Sequence, residues 1–190
     1  MPRAGLTTDR VVRAAADLAD EQGLAAVTTA AVARLFDVKA ASIYSHVAGT
    51  DDLRTRVALL ALDELADLAA EAVAGRSGSD ALVAFADVYR DYARAHPGRY
   101  EAARLRLEPG TDAARAAGRH AALTRAILRG YGLTGEDQTH AVRLIGSVVH
   151  GYTSLELAGG FDHSDPPGDV SWRRILNGLD DVLRTWSGGA

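Results

Sequence analysis

Apolar residues recur along this chain at spacings of three and four, and this helical period is the feature that most restricts how it can fold. The longest stripe predicts a connector helix over residues 50–74, and its apolar positions are Leu53, Val57, Leu60, Ala61, Leu65 and Leu68. Alanine, the best helix former, supplies 37 residues, while β-branched and aromatic residues form no alternating run. The pattern predicts an all-α protein of about nine helices.

Three short helices are predicted before the connector. The first follows Thr8 and ends at Gly23, and the second runs from Thr29 to about Phe36 with Thr28 as its N-cap. The third is predicted over 39–47, after a turn at Asp37, a residue type that tolerates positive φ. Beyond the connector, further helices are predicted up to residue 95 and over 99–107, 113–131, 137–158 and 170–186.

The segment from Thr28 to Val47, with a helix in front of it, has the outline of a helix-turn-helix DNA-binding unit. Its expected small core is Val32, Leu35, Val38, Ile43 and Val47. The outer face of the third helix then presents short side chains that would let the backbone lie deep in a major groove. We expect a DNA-binding domain over residues 1–49 and a larger ligand-binding and dimerisation domain over 50–190.

Each predicted DNA contact has a chemical reason. Lys39 and Ser42 can reach base edges or phosphates, and Ala40 leaves room for close approach. Four side chains can donate to phosphate oxygens, namely Thr28, Thr29, Tyr44 and His46. A solvated surface lysine is the alternative for Lys39, although it is the only lysine in the chain.

The net charge of −4 argues weakly against nucleic acid, but the two parts of the chain differ. Residues 1–50 carry five acidic and five basic side chains, whereas residues 51–190 carry 20 acidic and 16 basic ones. The whole net negative charge therefore belongs to the second part of the chain. The charge predicts that DNA affinity rests on a few placed contacts in a dimer.

The run Val27-Thr-Thr-Ala-Ala-Val-Ala-Arg-Leu-Phe-Asp-Val-Lys-Ala-Ala-Ser-Ile-Tyr-Ser-His-Val47, followed by Asp51-Asp-Leu53, resembles the DNA-binding signature of the TetR family of bacterial transcriptional regulators. The resemblance covers about residues 8–60. It implies that Thr28 caps the support helix, that Ala33 lies at the helix crossing and that Tyr44 and His46 contact phosphates. Leu53 would open the linking helix.

Three positions depart from that family pattern. Asp37 replaces the usual turn glycine, Val47 replaces a usual phenylalanine, and Thr50 stands where the family often has a lysine near DNA. Thr50 remains a candidate DNA contact. The lost lysine and the added carboxylate predict weaker non-specific binding.

The second part of the chain resembles the regulatory domain of one subgroup of the family, through residues 89–100, 149–152 and 155–161 with their His150-Gly151 element. This resemblance implies a homodimer formed by the last two helices and a small-molecule effector. The candidate effector residues are Tyr92, Tyr100, His120, Thr124, Ser147, His150 and Tyr152. Each could instead be a satisfied core or interface residue. Gly146 and Gly151 within a helix predict close packing across a subunit boundary.

Other classes of protein find little support in the sequence. The chain has no cysteine, and its six histidines show no metal-binding spacing, so no metal or cofactor is expected. No phosphate loop or nucleophile elbow is present, which argues against an enzyme. With no export leader and no apolar run of 18 residues, we expect a cytoplasmic protein without membrane contact.

The sequence predicts a ligand-responsive transcriptional repressor that binds a palindromic double-stranded DNA operator as a homodimer. The alternative is a helical ligand-binding or adaptor protein that has lost DNA binding.

Overall fold

The structure is a computed structural model that describes residues 5–186. Over these residues it contains nine α-helices, one short 3-10 helix and no strand, which confirms the predicted all-α class. The helices are α1 (Thr8–Gln22), α2 (Thr29–Leu35), α3 (Ala40–Ile43), α4 (Thr50–Val73), α5 (Gly78–Ala95), α6 (Pro97–Ala103), α7 (Thr111–Arg129), α8 (Gly135–Leu157) and α9 (Gly168–Trp186), with the 3-10 helix over Leu24–Ala26.

Side-chain caps set the starts of the first two helices. The Thr7 hydroxyl accepts the Arg10 N–H at 3.3 Å, so α1 already includes Thr8. The Thr28 hydroxyl accepts the Ala31 N–H at 3.0 Å, which confirms its predicted role as the cap of α2. Asp37 has φ 52°, the left-handed backbone expected at the turn.

The third helix is shorter than predicted, because the chain tightens after Ile43. The His46 N–H donates to the Ile43 carbonyl at 2.9 Å, and the Ser45 hydroxyl donates to the Ser42 carbonyl at 2.7 Å. Lys39 precedes the helix in extended backbone, with φ −68° and ψ 145°. Residues 44–46 are therefore a turn.

The sixth helix starts and ends earlier than the predicted 99–107. Pro97 occupies its first turn, where the fixed φ suits a helix and the missing N–H is not needed. The Arg104 N–H donates to the Glu101 carbonyl at 3.2 Å and closes the helix. Pro97 therefore follows directly on the end of α5 at Ala95 and begins the next helix.

The described chain forms two compact units. The first contains the residues up to Glu64 together with Ala95–Ala114, and the second contains Leu65–Arg94 and the residues from Arg115 onward. Segment 95–114, with α6, thus belongs to the first unit although it follows α5 in the chain. The domain boundary after residue 49 stays a prediction.

The first unit has a core in which Val32, Ile43 and Val47 are almost fully buried, as expected. Val38 packs against this core, and α1 supplies Val11, Ala15 and Leu18. The prediction that Leu35 belongs to this core is wrong, since its side chain is 56% exposed. Helical spacing alone could not place it, because α2 ends at that residue.

The second unit is built on large side chains from five helices. They include Leu65 of α4, Leu82 and Phe85 of α5, Leu128 of α7, Ile145 and Val149 of α8, and Trp172, Leu176 and Leu183 of α9. None of the helices in the described part of the chain is long and apolar enough to cross a membrane.

Candidate nucleic-acid interface and effector site

The candidate nucleic-acid interface is the segment of residues 28–47, called here the reader. Ile43 is fully buried and fixes α3 on the core of the first unit. This anchor leaves the other side of residues 39–46, the recognition segment, in solvent. The exposed side chains there are Lys39, Ala40, Ala41, Ser42, Tyr44 and Ser45.

Three predicted contacts meet at the start of α2. The Thr29 hydroxyl donates to the Tyr44 hydroxyl at 3.5 Å, and the Thr29 N–H donates to the Thr50 hydroxyl at 3.4 Å. Thr29 is buried, whereas Tyr44 is 56% exposed. Thr29 therefore supports its neighbours, and Tyr44 presents its ring and hydroxyl to solvent.

His46 is half-buried at the end of the recognition segment. Its Nδ1 lies 3.4 Å from the Thr8 hydroxyl, which connects the turn after α3 to the first turn of α1. The contact orients the imidazole toward the N-terminal end of α1.

Arg54 of α4 holds the chain that leads into the reader, and sequence reasoning missed it. Its Nε donates to the Val27 carbonyl at 3.0 Å and its Nη2 to the Ala25 carbonyl at 2.9 Å. The two partners lie 27 and 29 residues earlier in the chain, so no local pattern could have found them. A forked guanidinium suits two carbonyls at once.

The start of α4 is fixed by Asp52. One carboxylate oxygen accepts the Ala48 N–H at 2.8 Å, and the group pairs with Arg56 at 3.0 Å. Although burial opposes it, these two hydrogen bonds lower the pKa of Asp52 below its usual value.

Helix α6 packs very closely against α1. Gly98 is buried against the backbone of α1, where an added Cβ would lie 2.0 Å from the Ala19 carbonyl oxygen. Asp20 accepts the Arg99 N–H at 2.9 Å and lies 2.9 Å from His96 Nδ1. The Arg99 guanidinium also pairs with Asp17 and, at 3.4 Å, with Glu64 of α4.

A polar cluster lies among the apolar side chains of the second unit. The Tyr89 hydroxyl is 2.5 Å from His120 Nδ1, and the centres of the Tyr89 and His150 rings are 5.7 Å apart. Thr124 is buried one turn from His120 and donates its hydroxyl to the His120 carbonyl at 3.0 Å. Tyr89 is central to this cluster but was not among the predicted residues. Its position in the apolar stripe of α5 made it resemble a core residue.

The other predicted effector residues have different surroundings. Tyr152 is buried, donates to the Gly168 carbonyl at 2.5 Å and packs on Trp172. Ser147 is exposed on α8, and Tyr92 is buried on α5. Tyr100 belongs to the first unit, where the Arg104 guanidinium lies over its ring. The seven predicted residues therefore do not form one group.

An ion-pair cluster joins α5, α8 and α9. Arg90 is 5% exposed, donates its Nε to Glu156 at 2.8 Å and pairs with Asp169 at 2.7 Å. Its guanidinium lies over the Trp172 ring at 5.2 Å. The hydrogen bond from Arg90 outweighs burial and lowers the pKa of Glu156, while the same bond raises the pKa of Arg90.

The outer side of α8 and α9 is apolar and grooved. A groove of about 500 Å³ is lined by Ser147, Val148, Tyr152, Leu155, Phe161, Ser164, Pro166, Gly168, Ser171 and Ile175. Leu155, which lines this groove, is more than half exposed. A Cβ added at Gly151 or Gly178 would meet nothing within 4 Å.

Within residues 5–186, the histidine, aspartate and glutamate side chains form no group of three that could hold a metal ion. What the described residues do form is a small core that holds a short, exposed recognition helix, followed by a long helix and a helical unit with an internal polar cluster. Together these features define a helix-turn-helix DNA-binding regulator.

Comparison with known proteins gives the particular family. Residues 11–57 match the model of bacterial regulatory proteins of the tetR family, and residues 82–179 match the tetracyclin repressor-like C-terminal domain. The chain therefore belongs to the TetR family of DNA-binding transcriptional regulators, as the sequence predicted.

Similar proteins agree with this assignment. The uncharacterized HTH-type transcriptional regulator YobS of Bacillus subtilis is 30% identical over 188 residues, which is 99% of this chain and 94% of that protein. An uncharacterized HTH-type transcriptional regulator of Mycobacterium tuberculosis is 35% identical over 164 residues, 85% of this chain and 75% of that protein. The crystal structure of Streptomyces coelicolor ActR in complex with (S)-DNPA has the same fold, with a TM-score of 0.71, 22% identity and coverage of 95% and 98% of the two chains.

Proposed function

We propose that this regulator is a repressor that binds a palindromic operator as a homodimer and is released by a small-molecule effector. The observation that carries the proposal is the reader, in which the buried Ile43 holds an exposed helix flanked by Lys39 and Tyr44. Half-sites roughly 34–36 Å apart, or a multiple of that distance, would match the two readers of a dimer.

The DNA contacts divide into two chemical groups. The first group lies around the starts of α1, α2 and α4 and is assigned to phosphate contact and its support. Its members are Thr28, Thr29, Tyr44, His46 and Thr50. Such contacts position a protein on any sequence. Lys39, Ala40 and Ser42 are exposed on the recognition segment and are assigned to base edges.

The dimer is assigned to the outer side of α8 and α9. Support comes from its exposed apolar side chains, which are Leu155, Ile175 and Val182. Gly151 and Gly178 add to this, because glycine within a helix costs about 1 kcal/mol relative to alanine. Open space beside both residues leaves room for a second helix to approach closely.

The effector is assigned to the cluster of Tyr89, His120 and His150 in the second unit. A binding site needs a few polar groups among apolar walls, and this cluster supplies hydroxyl and imidazole groups beside Phe85. An effector that prefers the conformer with misplaced readers weakens DNA binding by the factor by which DNA weakens effector binding.

Operator binding is the decisive test. Fluorescence anisotropy with labelled duplexes from the region beside the gene should detect binding to a palindrome that weakens steeply with salt. Tyr44→Phe removes a hydroxyl assigned to phosphate and should weaken binding to every duplex by about tenfold.

Tyr131→Phe is the matched control, since it removes a hydroxyl that donates to Asp180 in the second unit, at 2.6 Å. Its operator affinity should equal that of the unaltered chain. Absence of salt-dependent binding to any nearby palindrome would refute the proposed function and favour an adaptor that has lost DNA binding.

A further inference from the structure

The recognition segment lacks the side chains that identify most bases. Bases are usually read in the major groove by arginine or lysine on guanine, asparagine or glutamine on adenine, a carboxylate on cytosine, and serine or threonine on several of them. Residues 39–46 are Lys-Ala-Ala-Ser-Ile-Tyr-Ser-His, which include one lysine and two serines but no arginine, amide or carboxylate. The first turn of α2, Thr29-Ala30-Ala31, adds only the buried Thr29.

The hydroxyl and imidazole groups at the far end of the segment are held by protein partners, and those of Tyr44 and His46 are assigned above to phosphate. The Ser45 hydroxyl donates to the Ser42 carbonyl, the Tyr44 hydroxyl accepts from Thr29, and His46 contacts Thr8. At the leading end of the segment Ala40, Ala41 and Ser42 are also exposed, and the two alanines present only methyl groups. Two methyl groups and one hydroxyl thus follow the Lys39 ammonium.

An alanine methyl group that lies in the major groove has one suitable apolar partner on the base edges. Thymine alone carries a C5-methyl group there, and alanine makes an apolar contact with it. Alanine is also short enough to let the helix backbone approach the bases, so the contact does not depend on a long side chain. Lys39 adds one cation, which can bind the acceptor atoms of a guanine.

We propose that this chain recognises each operator half-site mainly through thymine C5-methyl groups, which contact Ala40 and Ala41, with Lys39 on a single guanine. The inference rests on the proposed function, in which α3 lies in the major groove. Each half-site therefore contains thymine at the one or two positions that the alanines contact. It tolerates changes at guanines that neither Lys39 nor Ser42 contacts.

The test starts with selection of bound sites from a random duplex pool by the full-length protein. Each thymine of the selected half-site is then replaced by deoxyuridine, which removes the methyl group and keeps the base pair. Loss of one buried methyl contact should weaken binding by about fourfold. Deoxyuridine outside the half-sites should have no effect, and 5-methylcytosine at a contacted position should restore part of the affinity.

The same measurement on Ala41→Gly and Ala40→Gly connects each methyl to its partner. If Ala41 contacts a given thymine, the glycine variant should bind the thymine and deoxyuridine duplexes equally at that position. The comparison is made within one variant, so a change in its helix stability cancels. Ala70→Gly is the matched control, because Ala70 is exposed on α4 in the second unit and should keep the full thymine preference.

The results separate the two proposals. A selected site whose affinity is unchanged by deoxyuridine at every position would overturn methyl recognition and favour readout of DNA shape, while the proposed function would stand. Equal thymine preference in all three glycine variants would also overturn it. Failure to select any duplex would refute the proposed function itself, and the inference with it.

Discussion

Replacement of Gly98 by alanine tests how closely α6 must pack on α1. The added Cβ would lie 2.0 Å from the Ala19 carbonyl oxygen, 2.1 Å from the Ala19 carbonyl carbon and 2.7 Å from the Asp20 nitrogen. All three atoms are backbone, so no side-chain rotation can relieve the overlap. One of the two helices must move.

The magnitude follows from two opposing contributions. Overpacking of a buried position costs up to about 3 kcal/mol, and a backbone obstacle belongs at the upper end of that range. Alanine is favoured over glycine inside a helix by about 1 kcal/mol. The net loss in the free energy of unfolding should be about 2 kcal/mol, which lowers Tm by roughly 4–8 °C for a chain of this size.

Thermal and chemical denaturation followed by circular dichroism would measure this change at a fixed protein concentration. Gly118→Ala is the matched control, because Gly118 is exposed within α7 and an added Cβ would meet nothing within 4 Å. It should be stabilised by about 0.5–1 kcal/mol. A Gly98→Ala variant as stable as the unaltered chain would refute the reasoning.

Three further perturbations address other contacts. Arg54→Met removes both bonds to the Val27 and Ala25 carbonyls and should weaken operator binding severalfold in anisotropy titrations, since the segment that leads into the reader loses its support. Glu156→Gln should cost about 2 kcal/mol at pH 7 in denaturant unfolding. The pKa of Glu156 is lowered by Arg90, so its stabilisation is present above the unfolded pKa and is lost as pH falls through the folded value; the difference from the unaltered chain should therefore shrink in acid. Gly178→Leu should weaken the dimer roughly tenfold in sedimentation equilibrium, because the added bulk meets the second copy.

Each of these has a control or a contradictory result. Arg76→Met changes an exposed arginine of the second unit and should leave operator affinity unchanged. A constant difference in stability between Glu156→Gln and the unaltered chain from pH 7 to pH 3 would exclude the ion pair as its cause. Gly118→Leu should leave the dimer intact. If both leucine variants weaken dimerisation equally, α9 is not part of the dimer interface.

Local sequence patterns predicted the helices well because their causes lie within a few residues. Thr28 caps α2 through an N–H three positions away, and Asp37 is a residue type that tolerates the positive φ of the turn. The predictions that failed concern helix ends, as with Pro97 and the turn after Ile43. At these ends, a side-chain hydrogen bond or the fixed φ of proline decides where the helix stops or starts, and the spacing of apolar residues does not.

The candidate sites could be predicted only in part. Residues of the reader are close in sequence, so the sequence alone predicts that Lys39, Ser42 and Tyr44 share one exposed segment. The effector residues come from several helices, and spacing along one helix cannot show which helix faces it. Tyr89 was missed and Tyr100 lies in the other unit for that reason.

The sequence by itself determined the all-helical class, the turn at Asp37, the reader and the family. Those features depend on hydrogen bonds and side-chain contacts between residues that the chain already holds close together. Tertiary structure alone decided which distant groups meet, such as Tyr89 with His120, Arg90 with Glu156 66 residues later, and Arg99 with Asp17 82 residues earlier. Such pairs depend on how whole helices pack, and packing is set by the combined burial of many side chains rather than by either partner.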